Sequence, residues 1–486
     1  MLRAGSRIVR SPLFLLGVVS VLHAISPLVL VGVHHGFGSD ETVYLSQING
    51  SHPATIFSAP RARGLTLLVA PVTVWTSSVP VVRLWLAFLT GVGTFVAFRP
   101  WLRLTNPYVV PLAALLFSSL WTTIYYGFEA MPNIYVAYSA VFAVACVLRY
   151  RQGGQRRWLA GLFVSMVLLA LLRPSDAGYV FVPLFVAAMV LRGLARRDRA
   201  WIAGTALLGL VAGAAEWAVE AYVRFGGLLN RVHLAEAEQG KPGALYFSLG
   251  KQADVLTGPL LCRGGCHAHA PWWALVWWFA IPVLVAVALF VWRRRPAVMV
   301  LPTVVGLALA AEYLVSVGYG APRFLTPVYA LLALPSAVGL VAAVRWLSAR
   351  AGAPAWRAAV VVGAAAVVLA QIGSQVHIVQ SSIVPSTRGK VAEYVKVGEA
   401  LRAQLPLHQR PCLIAGHDSN PVAFAARCSS YPATPAGLIA ADDAGTDVIW
   451  LSRHRRLPAP IAHWDTIALT GTGGHSWYAA VEPPAT

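Results

Sequence analysis

The chain has 486 residues, of which 57% are apolar and only 12% charged, a balance that excludes an ordinary water-soluble core. Lys and Arg outnumber Asp and Glu by 38 to 19, and a surplus of +19 on a soluble protein would point to nucleic acid. In a membrane protein the same surplus sets orientation, so the position of the cations along the chain decides between the two.

Apolar runs able to cross about 30 Å of hydrocarbon recur through the first 374 residues. Spans are predicted at 13–33, 84–98, 107–124, 132–148, 158–172, 178–192, 200–218, 271–291, 297–317, 324–344 and 357–374. A shorter run, Gly64–Ser77, contains Pro71 and reads as an interfacial or re-entrant helix, or as the start of a tilted second span. If it crossed, Arg99 and Arg103 would lie on the side opposite Arg3, Arg7 and Arg10. With eleven crossings and a cytoplasmic amino terminus, alternate loops gather 19 cations against one acid, Asp198. Those loops hold +18 of the +19, the positive-inside pattern, and the nucleic-acid reading falls. The first run follows a basic stretch but closes on no small-residue cleavage site, so it is expected to be a retained span of a multi-pass plasma-membrane protein.

Cys262 and Cys266 share one predicted outside loop, Cys412 and Cys428 share the outside tail, and Cys146 is alone in a span. An oxidising exterior allows two disulfides there. The second would close a loop worth roughly 3 kcal/mol in the chain-entropy model. His267 and His269 make a metal site the alternative for the first pair, although Cys-x3-Cys-His-x-His is not an established zinc spacing.

From Gln375 the pattern turns soluble, which divides the chain into a membrane domain, 1–374, and an extracytoplasmic α/β domain, 375–486. Apolar positions at helical spacing (Val391, Tyr394, Val395, Leu401, Leu405) predict a helix over Arg388–Leu405. A strand is predicted at Pro411–Gly416 and a helix at Asn420–Arg427, capped by Asp418, Ser419 or Asn420. Further strands are predicted at Asp447–Ser452, Thr466–Leu469 and Trp477–Val481. The tail carries no phosphate loop or catalytic signature, and scaffolding or acceptor guidance is its expected role.

The chemistry-bearing residues cluster on the predicted outer side. The first loop holds His34, His35, Asp40, Glu41 and Tyr44, followed by Arg61 and Arg63. Ser39 or Asp40 would cap a helix over 41–49, and of the two adjacent carboxylates one can face a reaction centre while the other caps or pairs. Glu129 and Asn133 lie between the third and fourth spans, and Arg173 and Asp176 between the fifth and sixth. Glu216, Glu220 and Arg224 share one helical face, and Glu312 and Arg323 flank a later loop. Each could form a local ion pair, Arg173 with Asp176, Glu220 with Arg224, Arg323 with Glu312; the shared sidedness is what suggests a site.

Asp40-Glu41 with Tyr44, Pro60-Arg61-Ala62-Arg63-Gly64, Arg173-Pro174 and Arg323-Phe324-Leu325-Thr326-Pro327 resemble, in order and sidedness, the polytopic C-type glycosyltransferases. These include the protein O-mannosyltransferase and aminoarabinose-transferase relatives and actinobacterial cell-envelope enzymes. The resemblance covers about residues 10–345 and implies a mainly α, polytopic bundle. It also implies transfer of a sugar from a polyprenyl-phosphate donor, with inversion, to a hydroxyl of a glycan, lipid or protein acceptor. The chain lacks the Lys-Pro-Pro-Leu-Tyr pattern of several branches, which leaves the sugar open.

By this resemblance Asp40 is the base that accepts the hydroxyl proton, with Glu41 second. Arg63, Arg323 and Arg173, then Arg61, are the donor-phosphate ligands, a task for which the planar guanidinium fork is suited. Tyr44, Glu129 and Asn133 would line the sugar pocket, and His34 or His35 would bind sugar or phosphate. No cofactor is implied with certainty; a divalent metal ion assists some relatives, and the sequence resolves no ligand set for one. A transporter or flippase for a lipid-linked or polar substrate is the main rival, expected to place charges across the midplane on internally repeated halves. A non-catalytic receptor or assembly protein is the third reading, and it leaves the outer-side constellation without a task.

Overall fold

The computed structural model describes residues 11–239, 244–264, 266–405, 411–431, 447–472 and 475–481. Arg3, Arg7 and Arg10 therefore lie outside the described residues. The chain begins with α1 (Pro12–Pro27), extended by a wider turn over Leu28–Gly32, and the first loop carries α2 (Ser39–Ser46) and α3 (Gly64–Thr73). Next come α4 (Val79–Phe98), α5 (Val109–Ser118), α6 (Trp121–Tyr126), α7 (Pro132–Gly153), α8 (Arg156–Leu172) and α9 (Pro174–Val190). The long α10 (Arg196–Arg224) leads to α11 (Leu228–Gln239) and α12 (Leu249–Asp254), outside the bundle. The bundle is completed by α13 (Trp272–Val291), α14 (Ala297–Val315), α15 (Thr326–Arg350) and α16 (Pro354–Ile378). Proline stands in the first turn of α1, α4, α7, α9, α15 and α16, where its missing N–H costs nothing and its fixed φ suits the helix.

Among the described residues, eight helices are long and apolar enough to cross a membrane. The shorter α5, α8 and α9 supply the remaining predicted runs. The ten-residue α3 reaches only about 15 Å, half the hydrocarbon thickness. α7 is buried on nearly every side, as is α15 from Thr326 to Gly339, and these two form the axis of the bundle. α13 and α16 turn apolar side chains such as Phe279, Val283, Val362 and Leu369 outward.

One predicted span is broken. Between α5 and α6 Leu120 is extended (φ −65°, ψ 137°), so the 107–124 run does not form one helix. A break at that depth needs partners for the freed backbone groups. The Trp121 N–H donates to Gln375 Oε1 of α16 at 3.0 Å, and Thr123 Oγ1 lies 2.8 Å from the carbonyls of Phe117 and Leu120.

Charge gathers at both ends of the bundle. At one end Arg149 lies in the field of Arg103 and Arg157, Arg151 Nε donates to the Arg192 carbonyl at 3.0 Å, and Tyr150 OH donates to Asp198 at 2.8 Å. At the other lie α2 and the loops that follow α6, α8 and α14.

The helix does not stop at residue 375: α16 passes through a wider turn over Val379–Ile383 into α17 (Val384–Gln404), one run of 51 residues. Beyond it are β1 (Cys412–Gly416), α18 (Ser419–Ala426), β2 (Ser429–Ser430), β3 (Asp447–Ser452), β4 (Asp465–Leu469) and β5 (Trp477–Val481). The sheet order is β2-β1-β3-β5-β4, parallel from β2 to β3 and antiparallel beyond, with Ile414 opposite Ile449 and Ile449 opposite Val481. Ile414, Ile449, Val422, Leu401 and Trp477 form its inner core against α17 and α18. Asp418 is the residue before α18, held at φ 50° with no side-chain cap bond. The sheet domain rests on the first loop: the Phe37 and Phe424 rings are 6.0 Å apart, His52 stacks on Phe424 at 4.1 Å, and the Ile56 N–H donates to Ser430 Oγ at 2.9 Å. Cys262 is bonded to Cys266 and Cys412 to Cys428, while Cys146 is a buried free thiol.

Candidate functional site

The first loop folds so that its two adjacent carboxylates part company. α2 starts at Ser39, not 41, and Gly38 rather than Ser39 or Asp40 is the residue before it. Glu41 turns back to accept from the Gly38 N–H at 2.8 Å and goes inward, where 1% of its side chain is exposed. There it meets Arg83, fully buried on α4, through bonds of 2.6 and 2.8 Å, and it also accepts from the Ala130 N–H at 2.6 Å. Arg83 spends its remaining donors on the carbonyls of His35, Gly36 and Phe128 at 2.7–3.0 Å and lies 3.3 Å from Glu129. Burial opposes the Glu41 charge, but Arg83 holds its carboxyl below the ordinary range. Burial, opposed by Arg83 and reinforced by Glu41, pushes Glu129 well above that range. The Glu41–Arg83–Glu129 group is a structural staple between the first loop and the α6–α7 connection.

Asp40 turns the other way, into a polar cavity of about 130 Å³. Its Oδ1 accepts from Arg61 Nη2 at 2.6 Å and its Oδ2 from Arg323 Nη2 at 3.2 Å. Burial works against ionisation of Asp40, but Arg61 and then Arg323 override it and hold the carboxyl at about 2. Tyr44, Asn133, Arg173, Glu238, Arg263 and Tyr319 also line the cavity. Asn133 is completely buried and lines the cavity, and neither its Oδ1 nor its Nδ2 has a protein partner among the described residues. An amide in that state is unfavourable unless a ligand or water satisfies it.

The arginines are set by their neighbours. Arg61 lies over the Tyr44 ring at 5.1 Å, and its carbonyl and that of Ala59 are gripped by buried Arg231 at 2.9 and 3.0 Å. Arg173 donates to Asp176 at 3.0 Å, and Tyr313 OH donates to the same oxygen at 2.5 Å. Arg323 follows the Tyr319–Ala321 segment and pairs with Asp40, not with Glu312; among the described residues the buried Glu312 Oε2 has no hydrogen-bond partner. The expected Glu220–Arg224 pair forms at 3.2 Å.

Several predicted residues lie elsewhere. Arg63, first among the phosphate candidates, donates to Glu220 at 2.5 and 3.1 Å and to Gln47 at 2.9 Å, and does not line the cavity. The Glu220 carboxylate, shared with Arg231, captures it. Glu41 and Glu129 are turned away into the staple, His34 is exposed outside the cavity, and His35 is buried beside Tyr125. Burial, then Arg83, lowers His35 to about 4, which leaves its ring neutral. Arg83, Arg231, Glu238 and Arg263 were missed in the sequence. Arg83 had one signal, a lone cation inside an apolar run just after Pro80.

The residues around Asp40 do not suit a divalent metal ion. Its carboxylate is walled by arginines, which repel a cation, and among the described residues no three His, Cys, Asp or Glu side chains gather as a ligand set.

The helical bundle with its appended sheet domain is a fold shared with solved C-type glycosyltransferases. Among solved structures the chain is similar to ArnT from Cupriavidus metallidurans. The apo form superposes with a TM-score of 0.64 at 13% identity, covering 96% of this chain and 98% of that one. The form bound to undecaprenyl phosphate gives 0.61 at 12% identity, covering 96% and 99%. The apo oligosaccharyltransferase of Archaeoglobus fulgidus gives 0.57 at 13% identity, covering 90% of this chain and 69% of that one. No protein-family model and no curated protein matches the chain.

Proposed function

We propose that this protein is a membrane glycosyltransferase that moves a sugar from a polyprenyl-phosphate donor to an acceptor hydroxyl of the cell envelope, on the outer face of the plasma membrane, with inversion. The observation that carries the reading is the placement of Asp40 between Arg61 and Arg323 in the lining of a small polar cavity. The two guanidinium groups that hold its carboxylate are equally suited to hold a phosphate, and Arg173 lines the same cavity.

In the proposed cycle the lipid phosphate takes over Arg61 and Arg323, with Arg173 as the third ligand. Asp40, relieved of its two cations, rises toward the ordinary carboxylate range and becomes a competent base for the acceptor hydroxyl. The hydroxyl oxygen forms its bond to the sugar carbon as the bond to the phosphate oxygen breaks; the proton passes to Asp40, and the electron pair stays on the arginine-bound phosphate. Asn133 and Tyr44 hold the sugar. The isoprenoid tail fits the apolar groove of about 410 Å³ between α13, α15 and α16, lined by Trp273, Ile281, Leu332 and Val367. That groove shares Leu120, Trp277 and Tyr329 with a narrow gap reaching Pro322 and Leu325, beside Arg323.

The test is Asp40→Asn in membranes supplied with radiolabelled polyprenyl-phosphate mannose, arabinose, glucose and galactose. A folded variant that transfers sugar undiminished removes Asp40 as the base. Wild-type protein that transfers none of the four sugars, yet moves lipid-linked sugar across vesicles, replaces this reading with a flippase.

A further inference from the structure

Arg263 stands apart from the other arginines of the cavity. Arg61 and Arg323 share the single Asp40 carboxylate, and Arg173 is paired with Asp176. Among the described residues no carboxylate lies within ion-pair distance of Arg263. Its guanidinium rests over the Tyr319 ring at 4.7 Å, and Nη2 reaches only the Glu238 carbonyl, at 3.4 Å. Its field nevertheless reaches the carboxyls of Glu238 and Asp40, which line the same cavity.

The backbone explains why an exposed side chain should be fixed there. Cys262 exchanges two hydrogen bonds with Gly320, its N–H donating to the Gly320 carbonyl at 2.8 Å and its carbonyl accepting from the Gly320 N–H at 3.1 Å. Gly320 itself is wedged against α12: a Cβ there would stand 2.5 Å from the Lys251 carbonyl, so only glycine permits the approach. The next residue is locked as well, the Ala321 N–H donating to buried Gln252 at 3.2 Å. The Cys262–Cys266 bond closes the loop immediately around Arg263. The short segment that carries Arg263 is thereby tied to the segment that carries Tyr319 and Arg323.

We infer that Arg263 is a further phosphate-binding residue of this cavity, and that the Cys262–Cys266 disulfide is the device that positions it. The inference rests on the proposed reading of the cavity. It adds that the donor meets one cation that gives up no ion pair in order to bind. The first encounter of an anionic headgroup is therefore with Arg263, before Arg61 and Arg323 are exchanged away from Asp40.

Equilibrium binding of decaprenyl phosphate and of uncharged decaprenol to the full chain in nanodiscs tests this. Arg263→Gln should weaken decaprenyl phosphate binding about tenfold, the size of a lost charge-assisted hydrogen bond, and leave decaprenol binding unchanged. It should also reduce the salt dependence, and Arg263→Lys should restore part of both. Cys262→Ser/Cys266→Ser, with Arg263 intact, should weaken the phosphate ligand in the same direction by a smaller factor. Arg263→Gln binding decaprenyl phosphate as wild type does, while Arg323→Gln does not, overturns the inference and leaves the cavity reading standing. If neither variant changes phosphate binding, the cavity reading falls and this inference with it. A double-serine variant that binds like wild type, beside an impaired Arg263→Gln, removes the positioning role of the disulfide.

Discussion

Replacing Arg83 with methionine probes the staple beneath Asp40. The side chain is fully buried, and methionine fills much of the same volume. The substitution strips Glu41 of both its charged bonds, at 2.6 and 2.8 Å, leaves Glu41 and Glu129 facing each other in a dry site, and orphans the carbonyls of His35, Gly36 and Phe128. Breaking a buried pair by deleting one partner typically costs about 3–5 kcal/mol, and the orphaned carbonyls place Arg83→Met in the upper part of that range. Equilibrium unfolding in mixed micelles, followed by tryptophan fluorescence, measures it. The triple variant Glu41→Gln/Arg83→Met/Glu129→Gln removes every charge of the group and should regain most of the loss, because an uncharged replacement leaves no ion to desolvate. The reasoning is refuted if Arg83→Met stays within about 1 kcal/mol of wild type, or if the triple variant is no more stable than the single one.

Glu129→Gln should flatten the pH dependence of stability. The native carboxyl is raised, so the folded state holds a proton that the unfolded chain releases, and wild-type stability falls as pH rises from the ordinary glutamate value toward the native one; unfolding at pH 5 and pH 8 reads the difference. Asp40, held at about 2 in the free protein, should leave kcat/KM for the proposed transfer without an acid limb down to about pH 4.5, whereas kcat, which reports the donor complex, should show a limb at higher pH. A limb near the ordinary aspartate value in kcat/KM would mean that Asp40 is not paired with Arg61 and Arg323 in the free protein. Gln375→Leu deprives the Trp121 N–H of its acceptor at the helix break and should destabilise by about 1–3 kcal/mol, while Gln371→Leu on the same helix, which among the described residues holds no backbone group of the break, should cost less.

The bundle was legible because the solvent writes its demand directly into the chain: a helix that faces lipid must be apolar for most of its length. The break at Leu120 was not, because Ser118-Ser119-Leu120 contains neither glycine nor proline and the group that makes the break tolerable, Gln375, lies 254 residues away. The site was legible as a set of residue types and partly illegible as a set of directions. Asp40 and Glu41 were correctly read as unable to face the same way. Which of Arg61 and Arg63 enters the cavity is decided by Glu220, 157 residues from Arg63. Arg323 was paired in the sequence with Glu312, its nearer acid, whereas the fold brings it to Asp40, 283 residues distant. The tail strands were legible as short apolar runs; β2 was missed because two residues make no run.

The unbroken helix from Pro354 to Gln404, together with the return contact of α18 onto the first loop, makes a closed mechanical linkage. One side of the loop is a stiff rod rooted in the bundle. The other is a set of aromatic and hydrogen-bonded contacts at Phe37, His52 and Ile56 that bracket α2, the helix carrying Asp40. The helix continues past residue 375, so the sheet domain is joined both to the bundle and to the loop that carries α2. The two parts therefore share a degree of freedom, and a graft of this sheet domain onto another bundle would have to carry residues 34–57 with it.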